Sequence, residues 1–378
     1  MAFNLYSITS PLHRERSMPS QEESFILEIE NELGERFIHH GEDFSGYASS
    51  ADNIIYIRTG GTEGKFKSLG ITGDVTLLTS GQSNSLAASM EILAFLDRNG
   101  RRGRILHGSA AEIALNIKSC RGRCVPVNGY FRPVTPVNLG DAVLGVIGRP
   151  SDWLIASDPD YAKAESLFGV KIKDIPMSEL LDRMKTFKGD TRSFEGSEAI
   201  FDALADIVKE HNLKGLTIRC FDLLDTLHNT GCLALARLNA AGIPSACEGD
   251  IPALLSMAVA RKKTGCCGFQ CNLSRISGDE LLFAHCTVPL DMVSGYGYET
   301  HFESGLGTAI RGTLKPGNYM IYKISPELDR EVAIPVELTG HPHENNLCRT
   351  QITVRSKVAA GYLLNSPLAN HHIITPVF

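Results

Sequence analysis

The sequence predicts an α/β protein: two doubly wound parallel-sheet domains followed by a β-rich, antiparallel barrel-like C-terminal domain. Three observations predict it. Apolar β-branched runs alternate with segments of helical periodicity up to about residue 265. A Pro-, Gly- and Arg-bearing stretch over residues 120–138 interrupts that alternation and marks a crossing between domains. From about residue 276 the helices give way to short strand candidates separated by Gly, Pro and Asn turns. The boundaries expected from these changes are 1–138, 139–275 and 276–378.

The elements follow in order. In the first domain SFILEIENELGERFIHH has helical spacing, and NIIYIRTGG and DVTLLTSG are β-branched runs closed by glycine. SLAASMEILAFLDRNG reads as a helix with Gly100 as its C-cap, RGRILHGS as a strand and AAEIALNIKS as a helix. In the second domain VLGVIG, WLIAS, VKIKDIP, LTIRCF and IPSAC read as strands. DYAKAESLFG, MSELLDRMKTF, SEAIFDALADIVKEHNLKG, GCLALARLNAAG and PALLSMAVARKKTG are the helices between and after them. The third domain is expected to use ELLFAHCTVP, FESGLGTAIRGTL, NYMIYKIS, EVAIPVELTG, LCRTQITVRS and HHIITPVF as strands.

Composition narrows the function. A net charge of −6 over 378 residues supplies no basic patch for a polyanion, which disfavours nucleic acid as a partner. No apolar run approaches the roughly 18 residues that span a bilayer, and the N-terminus lacks the apolar core of a secretory signal. A cytoplasmic protein is expected, with its ten cysteines as thiols. Cys266, Cys267 and Cys271 lack paired C-x-x-C spacing, and Cys120 and Cys124 form a lone C-x-x-x-C, so none reads as a zinc site. The TGGTEG run has neither a P-loop lysine nor G-x-G-x-x-G, so it reads as a tight turn.

The chemistry concentrates late in the chain. Asp222 and Asp250 follow the strands LTIRCF and IPSAC and lie 28 residues apart with one helix between, the length of one βαβ unit. Both acids then leave the carboxyl edge of one sheet, where open α/β folds bind ligands. Each could instead cap the helix behind it, and Ile251-Pro252 after Asp250 fits that reading. Two close carboxylates repel unless a cation or proton neutralises them, which favours a metal. Asp225 and Glu248 are alternatives within the same loops. His285 lies in the apolar strand LLFAHC. His371 and His372 open the last strand, where alternation allows only one to face the site. Oxygen donors with one or two imidazoles suit Mn²⁺, Mg²⁺ or Co²⁺.

IPSACEGDIPALLSMAVARKKTG, LLFAHCTVP, HFESGLGTAIRGTL and ANHH, in that order, resemble the C-terminal half of L-fucose isomerase and its relative L-arabinose isomerase. RTGGTEG and TSGQSNSLAASMEILAFL are similar to the front domain of that family. The likeness covers most of the chain and is strongest from about residue 215. It implies a metal-dependent aldose–ketose isomerase acting on a free, unphosphorylated sugar through an enediol, in a homo-oligomer with sites near subunit interfaces. The metal implied is manganese, held by two acids and histidine, with the acids also moving the proton between C1 and C2. By motif the second acid falls on Asp250, with Glu248 as the alternative, and the histidine ligand on His371 or His372, with His285 matching a ligand of the arabinose branch. The first acid falls at Asp222, where the family carries a glutamate and this chain offers Asp222 and Asp225. Arg219, Gln270, Asn272, Glu303 and Asn370 are the polar residues expected to meet sugar hydroxyls. That departure leaves open a non-catalytic sugar-binding or regulatory protein, and a related epimerase or lyase is the third reading.

Overall fold

The computed structural model describes residues 3–10, 20–119, 132–365 and 368–378, so Cys120 and Cys124 lie outside the described residues. Strands β1 (Asn4–Ile8), β2 (Ile38–Gly41), β3 (Asn53–Ile57), β4 (Val75–Thr79) and β5 (Gly103–Leu106) form a parallel sheet in the order β2-β1-β3-β4-β5. Helices α1 (Ser20–Leu33) and α4 (Ala110–Ser119) cover one face through Ile26, Ile29, Ile113 and Ile117. Helices α2 (Glu63–Ser68) and α3 (Ser85–Arg98) cover the other through Phe66, Ala88, Ile92 and Leu96. Both faces are buried, so β3 and β4 are apolar without alternation.

The second parallel sheet runs β10-β9-β7-β8, from β7 (Ala142–Ile147), β8 (Val170–Ile175), β9 (Leu213–Ile218) and the two-residue β10 (Ser245–Ala246). On one face lie α6 (Met177–Met184), α7 (Phe194–Glu210) and α9 (Cys232–Ala240). On the other lie α5 (Tyr161–Phe168) and α10 (Ile251–Thr264), which also pack against Tyr322, Ile324 and Ile373 of the third sheet. The short helix α8 (Asp222–Leu227) follows β9.

The third sheet is a closed, wholly antiparallel six-stranded barrel, β15-β18-β11-β12-β17-β16 with β16 pairing back to β15. Its strands are β11 (Phe269–Ser277), β12 (Glu280–His285), β15 (Asn318–Ile324), β16 (Arg330–Gly340), β17 (Thr350–Arg355) and β18 (His371–Pro376). Closure removes the edges an antiparallel sheet would otherwise expose. A short strand β6 (Arg132–Pro133) pairs with β16, and β13 (Val293–Glu299) pairs with β14 (Ala309–Leu314) as a separate hairpin. Among the described residues no helix is long and apolar enough to cross a membrane, and eight cysteines are free thiols.

Two helices join the three sheets. α3 is buried on nearly all sides: Leu86 and Met90 enter the barrel's core while Ala88 and Ile92 enter that of the first sheet. α10 is buried from Ile251 through Ala260 between the second sheet and the barrel. Helices apolar all round are core helices rather than surface ones.

One expected strand is absent. WLIAS forms turns, because its backbone is satisfied by local turn bonds, from the Leu154 amide to the Ser151 carbonyl and from the Ser157 amide to the Leu154 carbonyl, and by side chains instead of a ladder. The Ala156 amide donates to Glu91 and the Ala156 carbonyl accepts from Arg98.

His107, just beyond β5, ties the first sheet to the barrel. Its Nε2 accepts the Ile276 amide at 2.9 Å and Nδ1 lies 2.8 Å from Thr79 Oγ1. Burial and then the nearby Arg275 charge push its pKa down from 6.5 to about 4. The unfolded chain therefore binds a proton that the fold refuses. The His107 contribution is complete above pH 6.5 and is lost as pH falls toward 4, amounting to about 3 kcal/mol across that window. Urea melts at pH 7 and pH 4 should show this slope in the wild type and a flatter one in His107→Gln. Equal slopes would mean His107 is protonated in the fold.

Candidate functional site

The carboxyl edges of both parallel sheets and one end of the barrel meet at a single cavity of about 210 Å³. Ser10, Gly60, Gly61 and Glu63 reach it from beyond β1 and β3, and Asn84, Ala87 and Ala88 from the start of α3. Trp153, Phe221 and Glu248 come from the loops after β7, β9 and β10, and Asn272, Glu303 and Asn370 from the barrel side. Ligand sites lie at this edge in open α/β sheets, and here two such edges share one.

Glu248 sits two residues past β10 with φ +64°, followed by Gly249 at φ +70°. Only glycine fits the second position, since a Cβ there would lie 2.5 Å from the Arg149 carbonyl oxygen. A non-glycine residue in the left-handed region costs about 1–2 kcal/mol, a cost typically retained at functional sites. The turn points the Glu248 carboxylate at the barrel. Its Oε1 lies 3.4 Å from His371 Nε2 and 3.8 Å from His285 Nε2, and its Oε2 accepts Trp153 Nε1–H at 2.6 Å. Burial alone would raise this carboxyl, but the His371 charge and the contacts with both histidines outweigh it and hold Glu248 well below the usual range.

Asp250, two residues on, has a different task. It caps α10 by accepting the Ala253 amide at 2.7 Å, and its other oxygen meets His371 Nδ1 at 2.8 Å. Lys323 Nζ, fully buried, lies 3.9 Å away. A carboxylate on Nδ1 holds the ring so that Nε2, once its proton is displaced, is the nitrogen that can act as a ligand. The His285 Nδ1 is likewise engaged, 2.9 Å from Thr287 Oγ1, with Nε2 directed to Glu248. Burial lowers the basicity of His371, but the Glu248 charge and the bonds to Asp250 and Glu248 override it and lift its pKa to about 9.

Glu248, His285 and His371 thus present ligand atoms that all lie within 4.8 Å of one another, buried, and with their second polar atoms already satisfied. Two imidazoles and a carboxylate are a donor set that suits a divalent transition ion and leaves positions open for other oxygens. The residues present therefore fit a metal.

The remaining expected residues distribute as follows. His372 turns away from the cluster: its Nδ1 bonds the Asn370 carbonyl at 3.1 Å, and its ring packs by Phe283. Asn272, Glu303 and Asn370 line the cavity. Gln270 lies behind it, accepting the Cys247 amide at 2.7 Å and so bracing the chain into Glu248. Asp225 is exposed on α8. Asp222 is on the same sheet edge as Glu248, since β9 and β10 are parallel neighbours, but its carboxylate accepts Arg219 Nε–H at 2.8 Å and does not line the cavity. Arg219 also bonds the Pro150 carbonyl and Asp152, fixing the loop that carries Trp153. Asp222→Asn is expected to leave Mn²⁺ affinity within about twofold and to cost under about 1 kcal/mol, as a partly exposed ion pair does. Calorimetric titration and melts check both. A tenfold loss of metal affinity would return Asp222 to the site.

Sequence reasoning passed over Glu63, Trp153 and Glu91. Glu91, in α3, accepts from the Ala156 and Asn370 amides and from Ser157 Oγ, linking all three layers. Burial, then the Asp250 charge, raises its pKa to about 7. Its signal was a lone acid in the apolar run SLAASMEILAFL.

A curated protein from Alkalicoccus urumqiensis, sulfoquinovose isomerase, is 24% identical to the chain across 73% of this chain and 68% of its own length. The chain is similar to a sugar isomerase. No family model matches it. Isomerisation in carbohydrate metabolism is the chemistry this likeness supports, and it is the chemistry for which the cavity must be tested.

Proposed function

We propose that this protein is a metal-dependent aldose–ketose isomerase of a free sugar, related to the L-fucose and L-arabinose isomerases. The observation that carries the reading is the convergence of Glu248 Oε1, His285 Nε2 and His371 Nε2, aimed at one point beside a cavity lined with amides and acids. Those three residues would hold the divalent ion, manganese being the first choice. When bound, the ion supplies Lewis-acid stabilisation of the charge that develops on adjacent sugar oxygens.

The chain's own residues do the rest. Asp250 and Thr287 hold the two imidazoles in the ligating orientation. Trp153 fixes Glu248 and, with Phe221 at 4.6 Å between ring centroids, gives the cavity an apolar wall that sheds water. Proton transfer between neighbouring carbons falls to the carboxylates on the wall, Glu248 and Glu303, rather than to Asp222.

The test is product analysis by ¹³C NMR after incubation with Mn²⁺ and a panel containing L-fucose, L-arabinose and sulfoquinovose. A ketose product is expected from at least one member and should disappear with EDTA. The aspartate at position 222, where the resembled family carries a glutamate, keeps one alternative open, a sugar-binding protein without turnover. Saturable binding with no product from any sugar would establish that instead.

A further inference from the structure

The TGGTEG run after β3 is more than a turn. Thr59 Oγ1 accepts the Ser10 amide at 3.0 Å and Thr62 Oγ1 donates to the Thr59 carbonyl at 2.9 Å, so the loop is tied to the segment after β1 and braced within itself. A Cβ on Gly60 would come within 2.9 Å of the Asn84 Cβ, and Gly61 has φ +70°. Both glycines line the cavity, where the missing side chains let backbone approach it closely. The loop then places Glu63 on the same wall.

Glu63 is 1% exposed, and its Oε2 has no hydrogen-bond partner among the described residues. A buried polar atom without a partner is costly, so a purely structural acid here would be paired or replaced. The wall around it carries further unpartnered acceptors, Asn84 Oδ1, Asn272 Oδ1 and Asn370 Oδ1. What these atoms lack is a ligand with several adjacent O–H donors. Burial, reinforced by the charges of Glu91, Glu248 and Glu303, keeps the Glu63 carboxyl well above the usual range, so it can both give and accept a hydrogen bond.

We propose that Glu63 is a substrate-binding residue, holding a hydroxyl of a polyhydroxylated chain on the β3–α2 wall of the cavity. This rests on the sugar-isomerase reading and adds a recognition residue contributed by the first sheet. It also explains the two glycines, which bring the acid to the cavity without filling it.

The test uses ligands that cannot isomerise. Galactitol, L-arabinitol and L-fucitol are titrated by calorimetry into the full chain saturated with Mn²⁺. Glu63→Ala should weaken alditol binding at least tenfold, leave Mn²⁺ affinity within twofold, and melt no lower than wild type because an unsatisfied buried group is removed. Glu63→Gln, equal in shape and still a donor and acceptor, should recover most of the binding. Unchanged alditol affinity in Glu63→Ala, or Gln as damaging as Ala in a folded protein, would overturn the assignment. A parallel loss of Mn²⁺ affinity would do so too, by moving Glu63 into the metal set. A wild type that binds no alditol and no aldose would overturn the sugar reading itself, and this inference with it.

Discussion

Glu248→Gln is expected to remove both metal-linked stabilisation and turnover while leaving the fold intact. In the wild type, an ion bound only by the folded state at a hundredfold excess over Kd adds about 2.7 kcal/mol, which a thermal melt reads as a shift of several degrees between EDTA and Mn²⁺. Glutamine keeps the size of the side chain and its contact with Trp153 Nε1, so shape is preserved. It replaces an anionic ligand between two imidazoles with a neutral amide, and the Mn²⁺ shift should vanish. Turnover should fall by about a hundredfold to a thousandfold, on the scale of losing one group that stabilises developing charge. A mutant that keeps the full Mn²⁺ shift would place the ion elsewhere.

Asp250→Ala should be the most destabilising single change in the site. The aspartate is fully buried and serves three partners: the Ala253 amide, His371 Nδ1 and Lys323 Nζ. Loss of the helix cap alone costs about 1 kcal/mol. Leaving Lys323 buried without its counter-charge adds about 3–5 kcal/mol. Urea unfolding should therefore show a loss of at least about 3 kcal/mol. The double mutant Asp250→Ala/Lys323→Met should recover part of it, since removing both charges eliminates the stranded one. A loss under about 1 kcal/mol would mean that Asp250 does no more than cap α10.

The sequence made much of this molecule legible where physical signals were strong. β3 and β4 read as strands because burial on both faces made them continuous apolar runs, and α4 read as a helix because its face is periodic. β11 was missed because Gln270, Asn272, Ser274 and Arg275 make it look like a loop. The structure buries the first three and gives Gln270 a partner in the Cys247 amide. β1, paired between β2 and β3 in the first sheet, was hidden in a short mixed stretch at the N-terminus.

The site divides the same way. Spacing put Asp222 and Asp250 on one sheet edge, and β9 and β10 are indeed parallel neighbours. Spacing does not reveal that Arg219, three residues before Asp222, engages its carboxylate. Nor does it reveal that the left-handed turn at Glu248-Gly249 aims Glu248 at the histidines while Asp250 turns to His371 Nδ1. Alternation along β18 did anticipate that His371 and His372 part company. Glu91 showed only as a lone acid in an apolar run, and its partners come from the packing of α3 between sheet and barrel; Glu63 reaches the cavity only through the glycine turn after β3, which carries no acid signature of its own.

The most direct test of the central claim is an anomalous-difference map from crystals grown with Mn²⁺, collected above the manganese edge. The account predicts a single strong peak about 2.0–2.3 Å from Glu248 Oε1, His285 Nε2 and His371 Nε2, absent in Glu248→Gln crystals. A peak bound by Asp222, or no peak within reach of both histidines at saturating Mn²⁺, would contradict it.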